Sequence, residues 1–257
     1  MSAESREPRP DSRVLVEACV DSVASALAAE HGGAGRLELC DNLADGGTTP
    51  SAGMISAVKA AVHIPVFVIV RPRGGGFVYS DVELGVMRLD IEAARMLGAD
   101  GVVLGALARD ATVDAAQTRA LMDAAGALPV TFHRAFDATR DLAQSLEALM
   151  AIGVRRVLTS GGRHSALEGV SEIAALVKRA GSSITIMAGG GVREENVQEV
   201  VHRAGVTEVH VRGTSLVSDG SGSASGLKLR KALPADEHAW EATDERRIRE
   251  FVRLANA

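Results

Sequence analysis

Two short apolar runs in this chain carry the same pair of reactive side chains two residues apart. They are Glu17 and Cys19 in Val-Glu-Ala-Cys-Val and Glu38 and Cys40 in Arg-Leu-Glu-Leu-Cys. In extended backbone residues i and i+2 share a face, so each run presents a carboxylate and a thiol together. A carboxylate does not face an apolar layer without a partner, which directs all four side chains to a polar interior or its mouth. Neighbouring strands lie about 4.8 Å apart, close enough for Cys19 and Cys40 to approach one another. Two thiolates without surrounding imidazoles suit a soft ion such as copper(I). The other reading is two small buried apolar residues, as free cysteine commonly is.

A second constellation ends the run Pro-Val-Thr-Phe-His-Arg-Ala-Phe-Asp, where His133, Arg134 and Asp137 follow directly on apolar residues. Histidine is the side chain whose ordinary pKa suits proton transfer near neutrality. Arg71 and Arg73, with Pro72 between them, offer guanidinium forks for a carboxylate or phosphate, or partners for Glu17 and Glu38. Thr159, Ser160, Gly161 and Gly162 end another run, Gly189, Gly190 and Gly191 precede a helical pattern, and His210 ends a last run. Free amides at such turns can cradle an anion, while glycines there can also serve only to make the turn tight.

Taken together, Glu17, Glu38, Arg71, His133, Arg134 and Asp137 form a candidate catalytic set. Arg73, Ser160, Gly161, Gly189, Gly190, Gly191 and His210 are candidate anion contacts, and Cys19 and Cys40 candidate metal ligands. The chemistry open to the catalytic set is that of a metal-independent lyase or isomerase acting on a small phosphorylated or carboxylated metabolite. A Schiff-base aldolase is disfavoured, because Lys59, Lys178, Lys228 and Lys231 all lie away from the ends of the apolar runs. A catalytic zinc site lacks a third imidazole beside His133 and His210.

The elements that must position these residues alternate regularly. Strands are expected at 14–19, 36–40, 66–70, 101–104, 130–133, 156–159, 184–187 and 208–211. Helices are expected at 22–30, 51–62, 81–97, 114–125, 142–152, 167–180 and 194–203, with a closing helix at 243–257. Gly33, Gly98, Gly153, Gly181 and Gly205 each stand between a helix and the next strand, as left-handed caps do. Eight strand-helix units in one chain of 257 residues predict an α/β protein, a (β/α)8 TIM barrel forming a single domain over 13–257. No Gly-x-Gly-x-x-Gly follows the first strand, which argues against an open dinucleotide-binding sheet. Residues 1–12 read as a flexible tail and 214–242 as an irregular excursion or lid after the eighth strand.

Apolar residues make up 46% of the chain but aromatics only 3%, so its core must be built from Ala, Val, Leu and Ile. The net charge of -5, with both signs interspersed, gives no reason to expect nucleic acid or a membrane as partner. No apolar run is long enough to span a bilayer and the polar start lacks the apolar middle of a signal peptide, which predicts a cytoplasmic protein. Two cysteines are too few for a disulfide scaffold and would stay reduced there.

These motifs together resemble the CutC copper-homeostasis family. The resemblance runs through Val-Glu-Ala-Cys-Val (16–20), Arg-Leu-Glu-Leu-Cys (36–40), Val-Arg-Pro-Arg-Gly-Gly (70–75), Thr-Phe-His-Arg-Ala-Phe-Asp (131–137), Leu-Thr-Ser-Gly-Gly (158–162) and Gly-Gly-Gly-Val (189–192). It implies a cytoplasmic TIM barrel that forms a homo-oligomer, dimer or tetramer, with a role in copper handling. It also implies copper(I) binding at Cys19 and Cys40, and no organic cofactor is expected.

Overall fold

The computed structural model describes residues 13–218, 220 and 238–257. Its eight parallel strands close on themselves: β1 (Leu15–Val20), β2 (Arg36–Leu39), β3 (Val66–Ile69), β4 (Gly101–Leu104), β5 (Val130–Phe132), β6 (Arg156–Thr159), β7 (Thr185–Ala188) and β8 (Glu208–Val211). The barrel shuts where β8 pairs with β1, Glu17 standing opposite His210, while Glu17 also stands opposite Arg36 on β2. This register fixes the site, because it sets Glu17, Arg36 and His210 side by side although they are distant in sequence.

Around the barrel run α1 (Val23–His31), α2 (Ala52–Ala61), α3 (Asp81–Met96), α4 (Ala115–Ala125), α5 (Leu142–Ile152), α6 (Val170–Ala180), α7 (Val197–Ala204) and α8 (Glu245–Ala255). Local chemistry starts most of them: Ser22 and Ser51 accept from the amides of Ser25 and Met54 at 3.1 Å, and Ser80 with Glu83 forms a reciprocal capping box. All five helix-ending glycines have positive φ, from 54° at Gly181 to 91° at Gly33, a conformation that L side chains disfavour. The main core lies between strands and helices, with Leu37, Leu39, Phe132, Phe136, Leu146 and Phe251 almost wholly buried. A smaller cluster of Cys19, Cys40, Phe67, Ile69 and Val103 fills the barrel itself.

Three expected elements differ, the first being α6, which begins at Val170 rather than at 167 because 166–169 form a turn. α7 begins at Val197 rather than near residue 194, because Arg193 donates its amide to the Asn196 side chain at 2.9 Å and 194–196 form a turn instead. The excursion after the eighth strand is ordered at both described ends: β9 (Thr214–Ser218) and β10 (Ala239–Thr243) pair antiparallel, Thr243 opposite Thr214. The Thr243 amide donates to the Ser25 hydroxyl at 3.2 Å, which ties this ribbon to α1. The expected tail, 1–12, and the middle of the excursion lie outside the described residues.

Candidate functional site at the barrel mouth

Strand alternation turns Glu17, Cys19, Glu38 and Cys40 inward, and the register brings the two thiols together with 3.7 Å between sulfurs. Glu38 Oε2 lies 3.5 Å from the Cys40 sulfur, so two thiols and a carboxyl form one buried cluster. His210 closes it from β8, its Nδ1 at 2.8 Å from Glu17 and its Nε2 at 3.6 Å from Glu38. Below lies a charged layer in which Arg36 pairs with Glu17 and Glu208, and Arg156 with Glu208. Both guanidinium groups stand over the Phe67 ring, at 5.1 and 5.5 Å from its centre, a geometry in which cation and ring attract.

The electrostatics of this cluster follow from who faces whom. The hydrogen bond from Cys40 and, against burial, the His210 contacts pull the Cys19 thiol down to about 5. Its neighbour Cys40 is pushed well above the ordinary thiol value by that same bond and by burial. One thiolate shared between two sulfurs is the state near neutrality. Burial alone would raise Glu17, but the His210 hydrogen bond and Arg36 outweigh it and hold the carboxyl at about 2. Among the described residues Glu38 has no guanidinium partner, and burial raises it to about 8 despite His210. His210 itself is raised well above 6.5, because the carboxyl groups and Cys19 more than offset its desolvation.

Above the cysteines opens a cavity of about 480 Å³ whose wall includes Cys19, Glu38, Arg71, His133, Arg134, Gly190 and His210. His133 is 5% exposed, and its Nδ1 accepts from the Ala135 amide at 3.2 Å. That bond leaves the ring proton on Nε2, which has no hydrogen-bond partner among the described residues. Burial and the Arg71 charge hold His133 down at about 3, so its imidazole is neutral. Gly105, just past the end of β4, leaves room for the ring: a Cβ there would lie 2.6 Å from His133 Cε1 and Nδ1.

Several of the residues singled out from sequence are engaged elsewhere. Arg71 does not pair with Glu17 or Glu38; it donates to the carbonyls of Asp45, Gly47 and Gly75 at 2.8 Å and stacks on Phe77. Arg73 lies outside the cavity wall, bonded to Glu83 and to the carbonyls of Gly74, Gly76 and Val78, where it staples its own loop. The amides of Ser160 and Gly162 are met at 3.0 Å by Asp137, which also accepts from the Thr159 hydroxyl and pairs with Arg134. The chain's own carboxylate therefore fills the turn that, with Gly161, suggested an anion cradle. Gly189 gives its amide to Thr159, while Gly190, at φ 91°, lets the Arg134 guanidinium lie against the backbone. Sequence reasoning passed over Arg36, Arg156 and Glu208, although the alternation that turns Glu38 and Cys40 inward does the same for Arg36.

Comparison with known proteins agrees with the barrel fold. The CutC family model matches residues 14–215. The human copper homeostasis protein cutC homolog is 46% identical over 242 residues, covering 94% of this chain and 89% of that protein. The CutC family protein of Xanthomonas campestris pv. campestris strain B100 is 53% identical over 250 residues, covering 93% and 98% respectively. The crystal structure of CutC from Streptococcus agalactiae superimposes with a TM-score of 0.74 at 40% identity, covering 77% of this chain and 97% of that one. N-(5'-phosphoribosyl)anthranilate isomerase from Pyrococcus furiosus shares only the fold, with a TM-score of 0.56 at 16% identity over 94% of this chain and 98% of the other. The chain thus belongs to the CutC family.

Proposed function

We propose that this protein binds copper(I) through Cys19 and Cys40, with Glu38 at their side, and serves copper homeostasis in the cytoplasm. The observation that carries this reading is the 3.7 Å separation of two sulfurs inside the barrel, beside a carboxyl oxygen. A metal thiolate must form by losing protons, and the low-lying first proton of the pair makes that loss easy near neutrality. Soft sulfur donors in a buried pocket suit copper(I) better than a hard divalent ion, and Cys19 opens onto the cavity, which offers the ion a path. The names of the human and mouse relatives, copper homeostasis protein cutC homolog, point the same way.

The decisive experiment is an anaerobic copper(I) titration against a competing chromogenic chelator, with wild type and a Cys19→Ser/Cys40→Ser double variant. One ion per chain and a loss of affinity in the variant are expected; equal affinity would remove the reading. Free thiols this close belong in a reducing compartment, since an oxidising one would join them; subcellular fractionation tests the location. Val82, Val86, Leu89 and Met96 leave an exposed apolar stripe along α3, which supports a homo-oligomer, dimer or tetramer, measurable by light scattering. The alternative of a metal-independent lyase or isomerase draws less support from the geometry. A His133 held neutral at about 3 donates a hydrogen bond at neutral pH but is a weak base.

A further inference from the structure

We propose that the cavity above the cysteine pair is a binding site for a small organic oxyanion, a carboxylate or phosphate carried on an apolar body, received by His133 Nε2–H and the Arg71 charge. This site adjoins the copper site, with Cys19 and Glu38 in the same wall, but its anion contacts, His133 and Arg71, are not among the copper ligands.

Two observations carry it. His133 is 5% exposed and forms part of the cavity wall, yet its Nε2 has no hydrogen-bond partner among the described residues. A buried donor left unmet costs about 1–3 kcal/mol, and such a group is retained where something else meets it. Arg71 is 6% exposed in the same wall; its guanidinium touches three backbone carbonyls and, among the described residues, forms no ion pair with a carboxylate. A buried guanidinium without a counter-charge sets a positive potential over the cavity. The neutrality of His133, held low by burial and by Arg71, fits a hydrogen-bond donor rather than a second cation.

The size and lining define the rest of the ligand. About 480 Å³ exceeds what an inorganic anion fills, and Leu43, Ile69, Phe77, Leu158, Val192 and Val211 supply apolar wall beside the polar end. Arg134 and Arg212 at the rim are already paired, with Asp137 and Glu241. Arg193 lies 3.9 Å from Glu195, and Asp45 adds a carboxyl group to the same wall; Arg71 is the buried guanidinium of the wall that forms no ion pair among the described residues.

Calorimetric titration with benzoate, phenyl phosphate, inorganic phosphate and the neutral benzamide tests the site on the full-length, metal-free chain. Benzoate or phenyl phosphate binding about tenfold more tightly than both benzamide and inorganic phosphate is expected, with His133→Phe losing about tenfold of that affinity. Histidine-labelled wild type should also show the His133 Nε2 resonance moving on saturation with the tighter probe, a readout independent of the variant's folding. Equal binding of benzamide, no binding of either organic anion, or an unmoved Nε2 resonance would each overturn the proposal. Cys40, unlike Cys19, lies outside the cavity wall, so Cys40→Ser, which removes one of the two copper(I) sulfurs, should bind the anion as wild type does, and this separates failure here from failure of the copper reading.

Discussion

Replacing His133 by Asn should flatten part of the acid instability of this protein. The wild-type ring is buried with its Nδ1 taken by the Ala135 amide, and burial with the Arg71 charge holds it at about 3 in the folded state. An unfolded histidine titrates near 6.5. Below about pH 6.5 the unfolded chain takes up a proton that the folded chain refuses. The contribution of the neutral ring to stability is therefore complete above that value and is lost as the pH falls towards the folded value. The loss is about 1.4 kcal/mol per pH unit, hence about 2 kcal/mol at pH 5, whatever the last fraction of the folded value. Asn keeps an oxygen that can accept from the Ala135 amide but cannot titrate, so it isolates this one effect. Urea unfolding of both proteins at about pH 7.5 and pH 5 measures it: wild type should lose about 2 kcal/mol more than His133→Asn on acidification. Parallel losses would mean that the ring charges freely in the folded barrel, and the placement of His133 as a buried neutral donor would be wrong.

Two further perturbations test the packing that holds the site. Gly105→Ala places a methyl 2.6 Å from the His133 ring, so it should lower stability by about 1–3 kcal/mol and weaken anion binding, read by thermal melting and the benzoate titration. Glu17→Gln leaves Arg36 with Glu208 as its remaining ion-pair partner in the barrel interior, removes the charge facing His210, and turns one of the two acceptor oxygens that meet Arg36 and His210 into an amide donor. A loss of about 3 kcal/mol in urea unfolding is expected, since breaking a buried pair strands a charge; a change within about 0.5 kcal/mol would show that water reaches the layer.

Much of the frame was legible because its signals are local. A serine one residue before an apolar periodic stretch caps α1 and α2, and a glycine at positive φ follows α5 and α7. The twofold spacing of Glu17 with Cys19 and of Glu38 with Cys40 needed only strand geometry to place all four inside. What stayed hidden depends on partners far apart in the chain. Glu208 meets Arg36 across 172 positions, and no spacing rule announces that pair. The Thr-Ser-Gly-Gly turn reads as an open anion cradle until Asp137, folded back by the short 3-10 turn at Arg134–Ala138, reaches its amides. β9 and β10 escaped for the same reason: each is short and polar, and each gains strand character only from pairing with the other.

The charged layer beneath the cysteines is better explained by what it does to the site than by stability. A buried ion network is rarely more stabilising than apolar packing of the same volume, and an ordinary barrel fills its interior with branched aliphatic side chains. Here Arg36 holds Glu17 ionised, Glu17 fixes His210 through Nδ1, and His210 then favours the thiolate of Cys19. The chain of contacts passes from the sealed bottom of the barrel to the sulfur at its mouth. It converts a permanent guanidinium charge, which no pH change removes, into a cationic ring positioned beside the cysteine pair. Aliphatic residues in the same places would close the barrel equally well but take away the His210 contacts, leaving chiefly the Cys40 hydrogen bond to favour the Cys19 thiolate against burial. The ionic interior is thus the feature that sets the paired Glu-x-Cys strands apart from an apolar barrel core.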